Sequence, residues 1–260
     1  MTPLLDTLMA LKKSDDGYTA VTDENWLQGR TLFGGLVGAF TVAAARAAQP
    51  ALPPLRSAQI AFVGPTIGAL VIRPALLRQG RSASFVSVDV LAEGALCARA
   101  LLTFADERPS RHFFADMPAP VAPPAEAGFP VFDAPGAPRS TSNFDGRFVG
   151  GGIPFSGAGR PELLLWLRHK AAAPHDEAAL IALADASPPA VFPIFTQPAP
   201  ISTVNWTVDL LGPVPSPADW LLTQTFSPLV ASGLSVQTTR MWTADGVPVL
   251  EARQLVALYD

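Results

Sequence analysis

Two tandem copies of an α+β unit, each a helix followed by a long antiparallel meander, are predicted by three features of this sequence. Strand-like runs follow an Ala-rich helical segment. The same order of elements recurs after residue 142. Two short segments recur in like places: the strand end Phe62-Val63-Gly64-Pro65 as Leu210-Leu211-Gly212-Pro213, and the turn Glu93-Gly94 as Asp245-Gly246. Two matches in the same order, with similar spacing, indicate an internal duplication of roughly 100–120 residues.

The first half opens with Leu4–Leu11, a short amphipathic helix, and a strand over Tyr18–Val21. An apolar segment then runs from Leu32 to Ala48, before Pro50. Its length, Ala content and terminal Pro predict a helix apolar nearly all round, hence one wrapped by other structure. Strands follow at Ser57–Phe62, Leu70–Leu77, Ser84–Leu91 and Ala95–Phe104. In the third, Val86, Val88 and Val90 take one face while Ser87 and Asp89 take the other. Glu93-Gly94 is the hairpin turn before the last.

A Pro-rich tract with Pro118, Pro120, Pro123, Pro124, Pro130, Pro135 and Pro138 keeps no hydrophobic period and reads as an extended surface linker. Beyond it, Ser142–Val149 and Glu162–Arg168 are strands. Asp176–Ala186 is a helix with acidic residues in its first turn, where the dipole favours them. Ser202–Leu211, Trp220–Phe226, Leu234–Trp242 and Val249–Leu258 repeat the meander, with Asp245-Gly246 in the place of Glu93-Gly94. The expected division is 1–107 for the first unit, 108–141 for the linker and 142–260 for the second. A meander wrapped around its helix, occurring twice, is the double hotdog architecture.

Composition narrows the function. Of the 260 residues 49% are apolar and 15% charged, the net charge is −4, and no Lys/Arg block is present, which argues against a nucleic-acid or anionic-membrane surface. The single cysteine, Cys97, excludes an internal disulfide and a Cys-based zinc cluster; it reads as a small buried side chain. His112, His169 and His175 show no metal-ligand spacing. Gly150-Gly151-Gly152 lacks the Lys-Ser/Thr of a phosphate loop, and no Gly-x-Ser-x-Gly elbow occurs. The apolar run Leu32–Ala45 is too short to span a membrane. Leu4–Leu11 lacks the charge order of a signal peptide, so a cytoplasmic protein is expected. No cofactor and no metal are expected.

Leu32-Phe33-Gly34-Gly35 at the first helix, the Phe62–Pro65 strand end and Arg78-Gln79-Gly80-Arg81-Ser82 lie in an order that resembles the double-hotdog acyl-CoA thioesterases, similar to bacterial acyl-CoA thioesterase II. The resemblance covers nearly the whole chain outside the linker. It implies hydrolysis of a fatty acyl-CoA, or a related acyl thioester, through a water held by Asp185, Thr203 and Gln254. These fall at the family's helix-end Asp, strand hydroxyl and last-strand Gln. Asn205 stands where the family often has an acidic residue. Arg56–Ile60 lacks a His that some relatives carry.

These residue types suit the chemistry. A carboxylate can accept the water's proton while a hydroxyl and an amide fix its other hydrogen-bond directions. For the oxyanion, backbone N–H groups at the first helix N-terminus are expected donors, at Gly34 and Gly35. Arg78 and Arg81 are candidates for the CoA phosphates, and the family allows pairing of chains into a homodimer. Two other readings stand beside this one. A hotdog enoyl-CoA hydratase would need an Asp–His pair, and no His lies near Asp185 in sequence. A non-catalytic acyl-CoA or lipid-binding protein would not need Asp185, Thr203 and Gln254 together.

Overall fold

The computed structural model describes residues 2–133 and 136–259; Pro135 of the Pro-rich tract lies outside them. The first half contains α1 (Leu4–Met9), β1 (Lys12–Ser14), β2 (Gly17–Ala20), the two-residue strands β3 (Leu27–Gln28) and β4 (Thr31–Leu32), and α2 (Gly34–Ala48). Its meander is β5 (Leu55–Phe62), β6 (Leu70–Gln79), β7 (Ala83–Ala92) and β8 (Ala95–Ala105). The second half contains β9 (Phe129–Pro130), β10 (Phe144–Gly151), β11 (Glu162–His169) and α3 (Glu177–Ala184). Its meander is β12 (Ile201–Leu210), β13 (Leu221–Ala231), β14 (Leu234–Trp242) and β15 (Pro248–Leu258).

Each predicted strand of the two meanders is present, with ends moved by a few residues. The helix expected over Asp176–Ala186 is shorter at both ends. Asp176 is its N-cap, accepting from the Ala179 N–H at 3.1 Å, and Asp185 is its C-cap. The chain after α1 forms the hairpin β1–β2, where only one strand was expected. Its edge strand carries Lys12 and Lys13, charges that discourage pairing with another chain.

Thirteen strands make one antiparallel sheet in the order β1-β2-β6-β7-β8-β5-β12-β15-β14-β13-β11-β10-β9. The two halves join at β5 and β12, where Ile60 faces Trp206 and Ala58 faces Val208. About this seam the order is symmetric: β8 answers to β15, β7 to β14, β6 to β13 and β2 to β11. Val86, Val88 and Val90 are fully buried on the inner face of β7, as their alternation predicts. Glu93 and Gly94 both take positive φ (50° and 80°), the geometry of a two-residue hairpin turn whose twist suits the strands.

The sheet wraps α2 and α3, which lie side by side and antiparallel. Gly34 lies beside Asp185, Gly38 beside Ile181, and the far end of α2 reaches the start of α3 through Arg46 and Glu177. Most of α2 and nearly all of α3 are buried, which explains why neither shows a clear amphipathic stripe. Glycines set the helix separation. A Cβ at Gly35 would stand 2.7 Å from the Ala182 carbonyl oxygen, and one at Gly38 would stand 2.8 Å from Ile181 Cγ2. At the opposite end Glu177 Oε1 accepts from Arg46 Nη2 at 2.6 Å and from the Leu55 N–H at 3.1 Å.

The Pro-rich tract is extended but anchored. Trp242 Nε1 donates to the Met117 carbonyl and Trp166 Nε1 to the Pro123 carbonyl, each at 2.9 Å. Ala125 packs with Leu164, Trp166 and Leu222 on the outer face of β11 and β13. Short 3-10 turns at Ala125–Ala127 and Arg139–Asn143, and the β9–β10 pairing, add local order that its composition did not announce.

Candidate active site

The N-terminus of α2 has no cap of its own. Phe33 occupies the N-cap position without a side-chain hydrogen bond, and the first turn holds no acidic residue. Free N–H groups and a positive dipole at such an end favour an anion. The second half supplies it: the Asp185 carboxyl lies against this end, where the nearby Gly35 N–H favours its charged form. Gly34 makes this approach feasible, since a Cβ there would lie 2.9 Å from Asp185 Oδ2 and 3.3 Å from Phe62 Cζ. The Gly34 N–H makes no hydrogen bond among the described residues.

Asp185 sits at φ −95°, ψ 0°, the sparsely populated bridge region in which many active-site residues are found. The residue keeps some exposed surface, while packed protein encloses its carboxyl. Loss of hydration pushes its pKa up to about 7, against the downward pull of hydrogen bonds from Gln254 and Gly35. A carboxyl poised there can exchange a proton near neutral pH.

Gln254 projects from β15 onto Asp185, with Nε2 to Oδ1 at 2.7 Å. Its Oε1 in turn accepts from Gln237 Nε2 at 2.5 Å, and Gln237 Oε1 accepts from the Ala190 N–H at 2.7 Å. Gln237 and Gln254 face each other across β14 and β15. Gln237 was missed in the sequence. The only signal was a polar residue on the inner face of a strand, which periodicity alone reads as an interruption.

Thr203 joins neither group by hydrogen bond. It lies opposite Val256 in the β12–β15 ladder, on the same face as Gln254 and two residues further along. A β-bulge between Thr203 and Asn205 places it there; without the extra residue, alternation would turn Thr203 to the outer face. It is half-buried, and Oγ1 makes no hydrogen bond among the described residues. Asn205 is exposed on the other face. Arg78 and Arg81 are exposed at the β6–β7 turn, at the end of the first-half sheet remote from Phe62, and are not part of this cluster. His169 is buried and structural: Nε2 meets the Ala179 carbonyl at 2.9 Å, and burial lowers its pKa. Cys97 is likewise buried, with Sγ 3.2 Å from the Pro65 carbonyl. No three of His, Cys, Asp and Glu converge as metal ligands would among the described residues.

The duplication shows what this constellation replaced. Aligning the repeated strand ends sets Ala58 against Trp206. Leu102, which pairs with Ala58, then answers to Gln254, and Val86, which pairs with Leu102, answers to Gln237. A bulge also breaks β5 between Leu55 and Ser57, so Leu55 answers to Thr203. Gln49, the α2 C-cap, answers to Asp185. Where one helix end gathers Asp, Thr and two Gln, the other has Gln, two Leu and Val. Only the Asp185 end sets a carboxyl against two amides; the other end holds the Arg46–Glu177 ion pair instead.

Two family models divide the chain between them: the acyl-CoA thioesterase N-terminal domain matches residues 22–105, and the acyl-CoA thioesterase C-terminal domain matches residues 114–258. The chain belongs to the acyl-CoA thioesterase family. Solved structures of the same fold include a conserved hot dog protein of unknown function from Alicyclobacillus acidocaldarius, at 24% identity and a TM-score of 0.90. The match covers 100% of this chain and 99% of that one. A candidate thioesterase II from Thermobifida fusca matches at 22% identity and 0.85, covering 100% of both chains. An acyl-CoA thioesterase II from Mycobacterium marinum matches at 17% and 0.79, covering 98% of this chain and 97% of its own. No curated protein sequence matches. Among the described residues no helix of this thioesterase-family chain is long and apolar enough to cross a membrane.

Proposed function

We propose that this member of the thioesterase family hydrolyses an acyl-CoA to the free acid and CoA, with Asp185 as the base that takes a proton from the attacking water. The observation that carries the reading is the enclosed Asp185 carboxyl, poised near pH 7 and held between Gln254 and the uncapped end of α2. Water brought against that carboxyl would pass its proton to Asp185 while its oxygen attacks the thioester carbonyl. The C–S bond then breaks, and the departing CoA thiolate takes up the proton from Asp185 to leave as the free thiol. The second Gln254 Nε2–H and Thr203 Oγ1 are available to orient the water, and the Gly34 N–H is available to the developing oxyanion. Gly35, expected as a second oxyanion donor, has its N–H engaged by Asp185; in this reading it holds the base instead.

Thiol release, followed with a disulfide indicator across acyl-CoAs of increasing chain length, tests the reaction. Release from at least one chain length supports the reading. Binding of acyl-CoA without release from any of them would leave a lipid-binding protein. Loss of enoyl absorbance without thiol release would indicate a hydratase. The pH dependence is a separate check. A base must be ionised, so kcat/KM should fall as pH drops through about 7, where Asp185 takes up its proton. An acid limb near the ordinary Asp value of about 4 would show that another group is the base.

A further inference from the structure

We propose that Gln237 is a positioning residue: it fixes which end of the Gln254 amide faces Asp185. The inference rests on Asp185 as the base and concerns how its partner is aimed. A glutamine amide has a donor end and an acceptor end of nearly the same shape, so its orientation is set by the network around it. Here the network starts from a group with no choice. The Ala190 backbone N–H can only donate, and it lies 2.7 Å from the Gln237 side chain, which must present Oε1. Gln237 therefore points Nε2 forward, 2.5 Å from Gln254, which must accept with its own Oε1. That leaves Gln254 Nε2 against Asp185 Oδ1 at 2.7 Å, the orientation an ionised carboxylate needs. The opposite orientation would set Oε1 against Asp185 and could be satisfied only by a protonated carboxyl.

Two further observations support a role in orientation. Gln237 and Gln254 are both buried, so water does not compete freely to turn the amides. The fold does not require polarity at these positions, because the first half packs Val86 and Leu102 at the equivalent places, both fully buried. A simpler role for Gln237 would be to tether the segment after Asp185 through Ala190. The structure provides a control for that role: Thr225 Oγ1 donates to Ser187 Oγ at 2.9 Å, holding the same segment to the sheet without touching either glutamine.

The test compares Gln237→Leu, Gln237→Glu and Thr225→Val in the full chain, reading kcat and KM across pH and the Asp185 carboxyl titration by ¹³C NMR without substrate. For Gln237→Leu, kcat should fall on the order of tenfold with little change in KM, since one orienting hydrogen bond is lost. The acid limb and the NMR midpoint should both move to higher pH, because Gln254 no longer reliably donates to the carboxylate. Gln237→Glu, when protonated, can still accept from Ala190 and donate to Gln254. It should be active only where the new carboxyl is still protonated while Asp185 is already ionised, and it should lose that activity and raise the Asp185 midpoint as the new carboxyl ionises; it also serves if the Leu variant fails to fold. Thr225→Val should lower thermal stability and leave the midpoint in place. An unchanged midpoint in both Gln237 variants, or an equal shift in Thr225→Val, would overturn the proposal. The NMR reading is independent of turnover. If Asp185→Asn proved fully active, the base assignment would fall while the carboxyl titration still decided what Gln237 does.

Discussion

Replacing Asp185 by Asn is expected to lower kcat for thioester hydrolysis by about 10²–10⁴-fold, the range lost with a positioned general base, while acyl-CoA binding persists. The same change should make the protein more stable at alkaline pH. Asp185 titrates at about 7 in the folded chain, and an unfolded Asp titrates near 4. Its contribution to stability is therefore fully present below about pH 4 and is lost as pH rises through about 7, because unfolding lets the carboxyl ionise in water. Three units correspond to on the order of 4 kcal/mol well above pH 7. Asn carries no charge to desolvate, so the melting temperature of Asp185→Asn minus that of the parent should grow between pH 5 and pH 8.5. At about 2–4 °C per kcal/mol for a chain of this size, thermal scans would resolve it. A difference independent of pH would mean that Asp185 ionises as an ordinary surface carboxyl, and a full kcat would remove it from the mechanism.

Replacing Gly35 by Ala should damage stability and activity together. The added methyl would stand 2.7 Å from the Ala182 carbonyl and 2.6 Å from Phe33 Cε1. The carbonyl is backbone and cannot rotate away, so α2 and α3 must separate. Overpacking of this kind costs about 1–3 kcal/mol. The shift acts directly on the Gly35 N–H that holds Asp185, and a misplaced base is costly in rate. Denaturant melts should show a lower midpoint, and kcat should fall more than KM rises. Gly64→Ala is a fitting comparison, because its Cβ would meet only the Leu96 carbonyl at 3.5 Å, an ordinary contact. If Gly35→Ala behaved like Gly64→Ala, the close helix approach would not matter to the site.

Much of this architecture was legible in the sequence because it follows local rules. The valines of β7 alternate, α2 is Ala-rich and ends before Pro50, and Glu93-Gly94 suits a tight hairpin. The repeated strand end showed the duplication, and the structure turns it into a seam at β5 and β12. The site was legible only in part. Family resemblance singled out Asp185, Thr203 and Gln254, and the structure joins two of them by a hydrogen bond. Gln237 escaped notice because its role depends on a cross-strand register, and register is not written in any short window. The approach of Asp185 to the Gly35 N–H escaped for a similar reason: the two residues are far apart in sequence, and neither α2 nor α3 alone announces an unmet need. Gly34 and Gly35 were noticed as candidate donors, yet their lack of side chains first serves the approach of one helix to the other.

The unequal cradles have a consequence for what fusion permits. In a pair of identical single units, every residue occurs at both helix ends, so a glutamine useful at one is imposed on the other. Joining the copies in one chain removes that obligation. Position 86 can be valine while its counterpart at 237 is glutamine, and Glu177 can meet Arg46 at one end while Asp185 waits at the other. One copy is thereby free to be selected for packing alone, and the burden of a desolvated carboxyl is carried once per molecule instead of twice.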